Sequence, residues 1–554
     1  MTASARRAGI LACVFAAGST FGCDRGGLGS AALVGADEPS AGGTAVVGVA
    51  AGATTLLPPL AAAALDFELG GALFLGLNFA TWVGGDLQYE PGHPLSLARD
   101  WALTPESATL TYHLDTRKRW SDGRPIRAGD VIFTYELLAD TALALPLSST
   151  AAHVDSVVAI DDSTVTFFFD RAYPGMLFDT GVGIIPEHVY GSLARAGMQG
   201  MPGLDPDDAD GLVVSGPFRL QTWRPTELIV LASNPASITP ALLDRLVFRL
   251  IPDEVARVTG FTAGDLDAAQ INSFRQATGL RRQQGIRIHR APQRGYDYIA
   301  WNPAAHSAFR DPLVRRALSL ALDRGTLLRA LDMAGYAEPA WGPYGSLFRQ
   351  LTSDPPDDPM YDPEEARRTL DAAGWIDADG DGVREHGSER LEFELATASG
   401  NERREEAVEM IERQLADVGA RARIRLEEFN SLLGRTIGRD YEAVLLGWQV
   451  GLDPDIEIFW GDPASPLNVV GYDDAQTRVF IDSAQASATA TEAAPYWRRA
   501  AARIAVDHPY AFLWFFDLPI AAGPRLRGVE VGVTGFGQGM HLWWIPPESR
   551  RDRE

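Results

Sequence analysis

The amino-acid sequence predicts a mixed α/β fold. Residues 109–114 (TLTYHL) and 164–170 (TVTFFFD) carry apolar side chains with the two-residue period of a half-buried strand. Residues 402–418 (ERREEAVEMIERQLADV) instead repeat apolar side chains every three or four positions, as an amphipathic helix does. Because segments of both kinds alternate along the chain, we expect helices packed on sheets.

The remaining predicted elements rest on similar local patterns. Residues 24–43 are rich in Gly, Ala and Ser and lack periodicity, which predicts a flexible linker. Residues 44–50 (TAVVGVA) are rich in valine and predict the first strand. Residues 312–331 and 364–373 have helical spacing and predict helices.

The chain is long enough for more than one hydrophobic core. Its 554 residues exceed what a single core usually supports, which predicts two or three structural units. Apolar residues make up 46% and charged residues 22%, as in an ordinary globular protein. After residue 23 no stretch approaches the roughly 20 uninterrupted apolar residues that a spanning helix needs. We therefore expect a mature protein that is soluble or tethered only at its N-terminus.

Residues 1–23 predict an export signal. Two arginines precede the apolar stretch 8–17, and small residues lead to Cys23. This layout resembles the bacterial lipobox, whose cysteine carries lipid as the first mature residue, although Thr20 stands where an aliphatic residue is usual. An ordinary signal peptide, an incidental cysteine in a short helix and lipidation at Cys13 are the alternatives. No cysteine follows Cys23, so neither disulfides nor thiol chemistry are expected in the mature protein.

Charge and motif content argue against several classes of function. A net charge of −24 is unfavourable for nucleic acid or an anionic membrane surface as a partner. Lys118 is the only lysine, and it lies in neither a phosphate-binding loop nor an S-x-x-K motif. The nine histidines form no H-E-x-x-H motif, and the chain has no G-x-S-x-G elbow. We expect no catalysis, no cofactor and no dedicated metal site.

A series of short motifs runs along the chain. The strongest block comprises residues 97–101 (LARDW), 110–114 (LTYHL), 120–125 (WSDGRP) and 128–133 (AGDVIF). In content and order the series resembles the extracytoplasmic solute-binding proteins, family 5, of ABC importers for dipeptides, oligopeptides and nickel. The further matching motifs lie at residues 185–188, 215–218, 243–254, 264–267, 298–302, 309–317, 374–375 and 447–448.

The resemblance implies a two-lobed fold like that of periplasmic binding proteins of the cluster C type. Mixed sheets would form both lobes, and segments 296–302 and 511–516 would lie near the hinge between them. Ligand would bind between the lobes. By contacting both lobes at once, it would stabilise a closed state that already exists in the ensemble. The implied bounds are 44–64, 215–293 and 515–554 for the core of lobe 1, 65–214 for a sub-domain inserted in lobe 1, and 294–514 for lobe 2.

The resemblance also implies a function without chemistry. The protein would act as a monomer outside the cytoplasm, capture a peptide-like solute and deliver it to the membrane subunits of an ABC permease. Two alternatives stay open. The same fold could bind another solute, such as a nickel chelate, an opine or an oligosaccharide, or it could serve as an envelope sensor or interaction protein that no longer takes part in transport.

The stretch 447–455 (GWQVGLDPD) is the first candidate site. In peptide-binding members of the family, an aspartate three residues after the tryptophan holds the α-amino group of the peptide. Gly451 occupies that position here, so the usual amine anchor is in doubt. Asp453 or Asp455 could replace it, although Pro454 between them also suggests a turn with structural carboxylates. Trp448 is the candidate wall of the cleft, because a rigid aromatic ring offers contact area at low entropic cost; a place in the lobe core is the alternative.

The aromatic strand 296–302 (YDYIAWN) is the second candidate site. A strand would direct Tyr296 and Tyr298 to one face and Trp301 to the other, so at most half of these side chains would contact ligand. We name Tyr296, Tyr298 and Asn302 as candidate ligand contacts. Trp341, in a Trp-Gly-Pro segment similar to cleft-lining segments of the family, is a further candidate.

Residues 377–382 (DADGDG) resemble the start of an EF-hand loop. The twelfth position of such a loop is Ser388, whereas calcium needs a bidentate glutamate there. We therefore expect a surface turn, with weak calcium binding as the alternative.

Overall fold

The structure is a computed structural model that describes residues 38–551, except 84–85, 196–202, 205–210, 353–360, 533–534 and 538. The predicted export signal with Cys23 and most of the predicted linker lie outside the described residues. The described chain is a mixed α/β protein, which confirms the predicted fold class. Among the described helices, none combines the length and the apolar character that a membrane crossing requires.

The strands are numbered in chain order. They are β1 Thr44–Val49, β2 Ala80–Val83, β3 Asp86–Tyr89, β4 Ala98–Thr104, β5 Thr109–Leu114, β6 Val154–Asp161, β7 Thr164–Phe169, β8 Phe218–Arg224, β9 Leu228–Ser233, β10 Arg245–Leu250, β11 Ala268–Gln270, β12 Arg287–Trp301, β13 Ala337–Pro339, β14 Glu385–His386, β15 Glu389–Arg390, β16 Glu392–Ala398, β17 Arg421–Glu427, β18 Ala443–Gln449 and β19 Tyr510–Ala522.

The helices are numbered in the same way. They are α1 Ala64–Leu73, α2 Ala128–Ala139, α3 Met176–Asp179, α4 Glu187–Arg195, α5 Glu254–Ala263, α6 Phe274–Arg281, α7 Pro312–Leu320, α8 Arg324–Ala330, α9 Pro363–Ala372, α10 Glu402–Ala416, α11 Phe429–Ile437, α12 Glu457–Trp460, α13 Ala475–Gln485 and α14 Ala490–Asp507.

The strands and helices predicted from periodicity are present, with one difference. The segment predicted as a single helix, residues 312–331, forms α7 and α8. The break arises at Asp323, whose side chain accepts a hydrogen bond from the backbone N–H of Thr326 and so starts a new helix. An N-cap of this kind satisfies a backbone donor that a helix start leaves without a partner.

One large sheet runs through the described chain in the order β17-β16-β18-β12-β19-β11-β1-β10-β9-β8. Its two long central strands, β12 and β19, pair antiparallel along most of their length. Towards one side β19 pairs with β11, and towards the other β12 pairs with β18. We call the portion built on β1 and β8–β11 lobe 1, and the portion built on β16–β18 lobe 2. The central strands therefore connect the two lobes, and they contain both segments expected near the hinge.

The four-stranded antiparallel sheet β4-β5-β7-β6 is separate from the large sheet and lies within residues 65–214, the predicted insertion. Its inner face packs on α2 through aromatic rings. Tyr135 meets Phe167 edge to face with ring centroids 4.8 Å apart, and Phe167 meets Tyr112 in the same way at 6.0 Å. Edge-to-face pairs of this kind add to the stabilisation from burial alone.

The predicted alternation of the aromatic strand is confirmed. Tyr296, Tyr298 and Ala300 lie in one hydrophobic core of lobe 2, packed against α14 and β19. Ile299 and Trp301 lie in the core on the opposite face of the sheet. Both faces of β12 are thus buried over residues 296–301, which is expected where a strand lies in the middle of a large sheet that is covered on both sides.

Candidate functional site

The loop after β18 positions Asp453. The Oδ1 atom of Asp453 accepts a hydrogen bond from the backbone N–H of Asp455 at 3.0 Å, and the Oδ1 atom of Asp455 accepts one from the N–H of Glu457 at 2.8 Å. The hydroxyl of Tyr344 donates to the carbonyl of Pro454. These bonds fix a turn of the type that Asp residues favour, as the sequence suggested. The Oδ2 atom of Asp453 accepts no hydrogen bond from any described residue.

Asp453 faces a segment of lobe 1. A Cβ atom placed on Gly175 would lie 3.2 Å from Oδ2 of Asp453, so the glycine allows the two lobes to approach closely here. Gly175 leads directly into α3, and Asp179 is the last residue of that helix. The hydroxyl of Tyr173 donates to Oδ2 of Asp179 at 2.6 Å. We call Tyr89, Tyr173, Asp179 and Asp453 the cross-lobe site.

The cross-lobe site carries negative charge in a partly buried setting. Burial raises the pKa of Asp179 to about 7, and the charge of Asp453 adds to this rise. Burial likewise raises the pKa of Asp453. No described arginine or lysine forms an ion pair with either carboxylate. Since an uncompensated buried carboxylate is costly, this arrangement favours a cationic group of a ligand between the lobes.

Trp448 lies at the margin of the lobe 2 core. Its ring stacks on Tyr298 with centroids 5.9 Å apart and lies 5.3 Å from Phe459, and its Nε1 donates to the hydroxyl of Tyr510 at 3.3 Å. The side chain is only partly buried, unlike the rings that it contacts. The aromatic cluster therefore holds the Trp448 ring in place, and the role of Trp448 as a cleft wall stays a prediction.

The other candidates occupy different environments. Tyr296 and Tyr298 are buried inside lobe 2, and neither hydroxyl has a hydrogen-bond partner among the described residues. Asn302 is also buried, and its amide donates to the carbonyls of Arg439 and Tyr441 at 2.9 and 2.7 Å, which ties down the turn after β12. Contact of Tyr296, Tyr298 and Asn302 with ligand stays a prediction. The two hydrogen bonds of the Asn302 amide give that residue a structural role.

Trp341 is half-buried and lies two residues before Pro343. Pro343 lines a cavity next to the central strands, between the middle of β19 and the segment after β18. Trp341 itself does not line that cavity. The other lining residues are Arg290, Tyr336, Ala337, Glu338, Gly345, Ser346, Leu347, Phe348, Val450, Phe515 and Asp517.

A buried ion cluster on β12 was not foreseen from the sequence. Asp297 is fully buried and accepts hydrogen bonds from Arg404 at 2.9 Å and from Nε1 of Trp514 at 2.9 Å, and it is also paired with Arg403. Gly447, on β18, is the pairing partner of Asp297 on β12. A Cβ on Gly447 would lie 2.5 Å from Oδ1 of Asp297. The glycine of the Gly-Trp motif thus leaves room for this cluster. A lone acidic residue in an aromatic strand was the signal that could have revealed it.

The aspartate-rich loop carries its own counter-charge. Carboxylate oxygens of Asp377, Asp379, Asp381 and Glu385 lie within 4.8 Å of one another, a spacing that could hold a metal ion. The guanidinium of Arg390 lies among them, 2.5 Å from Asp381, 3.5 Å from Glu385 and 3.8 Å from Asp379. This ion pairing is consistent with the expected surface turn.

Comparisons with known proteins agree with the fold and the motifs. Residues 94–463 match the family described as bacterial extracellular solute-binding proteins, family 5 Middle. The chain is 26% identical to the oligopeptide-binding protein AppA of Bacillus subtilis over 79% of this chain and 81% of AppA. It is 28% identical to protein XP55 of Streptomyces lividans over 81% of this chain and 80% of XP55.

Solved structures show the same architecture. The structure of Bacillus subtilis AppA in complex with a nonapeptide matches with a TM-score of 0.68 and 24% identity, over 92% of this chain and all of that one. NikZ from Campylobacter jejuni, in complex with Ni(L-His), matches with a TM-score of 0.72 and 20% identity, over 90% of this chain and 99% of that one. The fold is therefore that of the two-lobed binding proteins. The family match covers well over half of the chain, and the protein belongs to the family 5 bacterial extracellular solute-binding proteins.

Proposed function

We propose that this protein captures a peptide-like solute with a free amino group between its lobes and delivers it to the membrane subunits of an ABC importer. The observation that carries the proposal is the Oδ2 atom of Asp453, a carboxylate oxygen without a donor that faces the opposite lobe. Family membership and the likeness to an oligopeptide-binding protein support the choice of solute class.

Asp453 takes the place of the missing aspartate at position 451. Gly451 lies on the same loop, and the nearest atoms to a Cβ built on it belong to the backbone of Asp453. The loop is held by its own hydrogen bonds, so the carboxylate is oriented before the ligand arrives. An ammonium group there would form a charge-assisted hydrogen bond, which is stronger than a neutral one, especially when water is excluded.

Replacing Asp453 tests the proposal. Asp453→Asn keeps the shape of the side chain and removes its charge. We expect affinity for peptides with a free amino terminus to fall by about 1.5–3 kcal/mol, the usual contribution of a hydrogen bond to a charged group. Affinity for the same peptides with an acetylated terminus should change little. Calorimetric titration with peptides of three to nine residues measures both values.

The matched control is Asp462→Asn, which removes one charge from an exposed position of the same lobe. It should leave both affinities unchanged. Equal affinity of the wild-type protein for free and acetylated peptides would contradict the proposed amine anchor.

The departure at Gly451 favours a second candidate, a non-peptide solute held in the same cleft. A nickel chelate, an opine and an oligosaccharide are the candidates, and NikZ shares the fold with a nickel complex as its ligand. A sensor or interaction protein of the envelope is the candidate outside transport. Mass spectrometry of the solute that co-purifies with the protein separates the solute classes, and a permease gene next to this one would favour transport.

The proposed function implies a particular organisation of the chain. We propose the lobe bounds given by the resemblance, with residues 65–214 as the inserted sub-domain and residues 294–514 as lobe 2. The separate four-stranded sheet in the insertion supports the first of these bounds. The binding unit is proposed to be a monomer without catalytic activity, since capture and delivery need only two lobes and a hinge.

Export and lipid anchoring through Cys23 complete the proposal. Replacing Cys23 with alanine should leave unprocessed or released protein and abolish incorporation of labelled fatty acid, because the thiol that carries the lipid is lost. Metabolic labelling followed by fractionation of membranes measures both effects. Cys13→Ala is the control, and it should leave labelling intact. Undiminished labelling of Cys23→Ala would refute the anchor.

A further inference from the structure

The cross-lobe site contains a second carboxylate, which belongs to lobe 1. Asp179 ends α3, the short helix that begins just after Gly175. A Cβ placed on Gly175 would lie 3.2 Å from Oδ2 of Asp453 and 2.9 Å from the ring of Tyr173, whose hydroxyl donates to Asp179. The charge of Asp453 accordingly contributes to the raised pKa of Asp179. Two carboxylates from different lobes thus approach each other where the lobes meet.

Asp179 is held in place by a buried network. The hydroxyl of Tyr135 donates to the backbone carbonyl of Asp179 at 2.8 Å, and the amide of Asn78 donates to the carbonyl of Leu177 at 2.7 Å. The hydroxyl of Tyr112 is 2.6 Å from that of Thr180. This support distinguishes Asp179 from a mobile surface acid, because a network with satisfied partners fixes the geometry of what it carries.

Three polar atoms at this place have no partner among the described residues. They are Oδ2 of Asp453, Oδ1 of Asp179 and the hydroxyl of Tyr89. Burial raises the pKa of Tyr89, and the charges of both aspartates add to the rise, so its ring lies near both of them. All three residues are partly exposed where the lobes meet, so these atoms are open to a polar group of a ligand.

The surrounding charges do not neutralise the pair. His153 is bound to Asp170 at 3.1 Å, and it lowers the pKa of Asp179 only as the smallest of the contributions. Asp455 adds negative charge near Asp453. Among the described residues, the hydroxyls of Tyr89, Tyr135, Tyr173 and Tyr344 also interact electrostatically with one or both aspartates.

We propose that Asp179 and Asp453 form a cation clamp across the cleft, in which the amino group of the solute lies between both carboxylates and its charge permits the lobes to close. The inference rests on the proposed function and adds the second anchor and the coupling to closure. Without a cation, two ionised carboxylates in a partly buried contact repel each other and favour the open state. A proton on one of them can replace the cation.

The clamp predicts how closure depends on pH in the absence of solute. The pKa of Asp179 is about 7 in this structure, well above its ordinary value of 3.8. Opening of the lobes would separate Asp179 from the charge of Asp453 and reduce its burial, so we expect the closed state to bind the proton more tightly than the open state. Closure without solute is therefore favoured as pH falls below about 7 and disfavoured above it.

Two measurements on the full chain test the clamp. In calorimetry, Asp179→Asn should lower affinity for a free-amine peptide about tenfold or more, as loss of one charge-assisted bond does, and should leave the acetylated peptide nearly unchanged. In small-angle X-ray scattering, the solute-free wild type should be more compact at roughly pH 5.5 than at roughly pH 8.5, and Asp179→Asn should lose most of this difference. The control is Asp162→Asn, an exposed aspartate of the same sub-domain that should change neither result.

The outcomes separate this inference from the proposed function. If Asp453→Asn abolishes the preference for the free amine and Asp179→Asn does not, the clamp is refuted and the function stands. If the wild type does not distinguish free from acetylated peptides, the proposed function fails. A solute-free protein with the same radius of gyration at both pH values overturns the clamp in either case.

Discussion

Replacement of Asp297 by alanine is expected to lower the free energy of unfolding by about 3–5 kcal/mol, the cost of removing one partner from a buried ion pair. The variant leaves Arg403 and Arg404 close together without their shared carboxylate, and it removes the acceptor for Trp514. Asp297 and Trp514 lie on the central strands that join the lobes, and both arginines lie on α10. Urea denaturation followed by tryptophan fluorescence measures the effect as a lower midpoint.

The control for Asp297 is a surface aspartate in a similar pair. Asp100 contacts Arg99 and His113, and 49% of its side chain is exposed. Asp100→Ala should change stability by no more than about 1 kcal/mol, because water screens exposed pairs. Similar midpoints for the two variants would mean that the Asp297 cluster contributes no more than a surface pair.

Replacement of Trp448 by alanine is expected to weaken solute binding by about 1–3 kcal/mol, the range for loss of an aromatic contact in an enclosed site. Its ring is only partly buried, so the free energy of unfolding should fall by less than the roughly 3–5 kcal/mol of an emptied tryptophan position in a core. Calorimetry with the solute that the wild type binds, together with urea denaturation, measures both quantities.

Trp460 provides the matched control. It is 1% exposed and meets Tyr510 edge to face at 4.7 Å within the same aromatic cluster. Trp460→Ala should lose stability in the full core range, while the folded fraction binds solute normally. If Trp448→Ala instead behaves like Trp460→Ala, Trp448 belongs to the core and does not line the cleft.

The local patterns of the sequence predicted much of the fold. The two-residue period of the aromatic strand placed Tyr298 and Trp301 on opposite faces, and the structure confirms this. The single helix predicted over residues 312–331 was wrong in one respect, since Asp323 caps a second helix. The spacing of apolar residues continues across the break, so periodicity alone could not locate the break. The aspartate at position 323, a residue type that favours helix N-caps, could have indicated it.

The candidate site was only partly accessible to the same reasoning. Asp453 could be named because its loop resembles a known motif and because Gly451 breaks that motif. Asp179 carried no such signal, since it is one aspartate among many and lies far from residue 453 in the sequence. Asn302 stood beside the aromatic strand and suggested a ligand contact, whereas its amide binds two backbone carbonyls of its own lobe.

The sequence by itself determined the class of fold, the family resemblance, the faces of the strands and the position of a candidate amine anchor. These properties depend on neighbours along the chain, because strand and helix periods follow from covalent geometry. The tertiary structure alone decided that the segment from Gly175 to Asp179 lies against Asp453 and that Asp297 pairs with two arginines. Such contacts depend on how segments that are distant in the sequence pack together, and on which buried polar groups are left without a partner. The periodicity of a local segment contains neither kind of information.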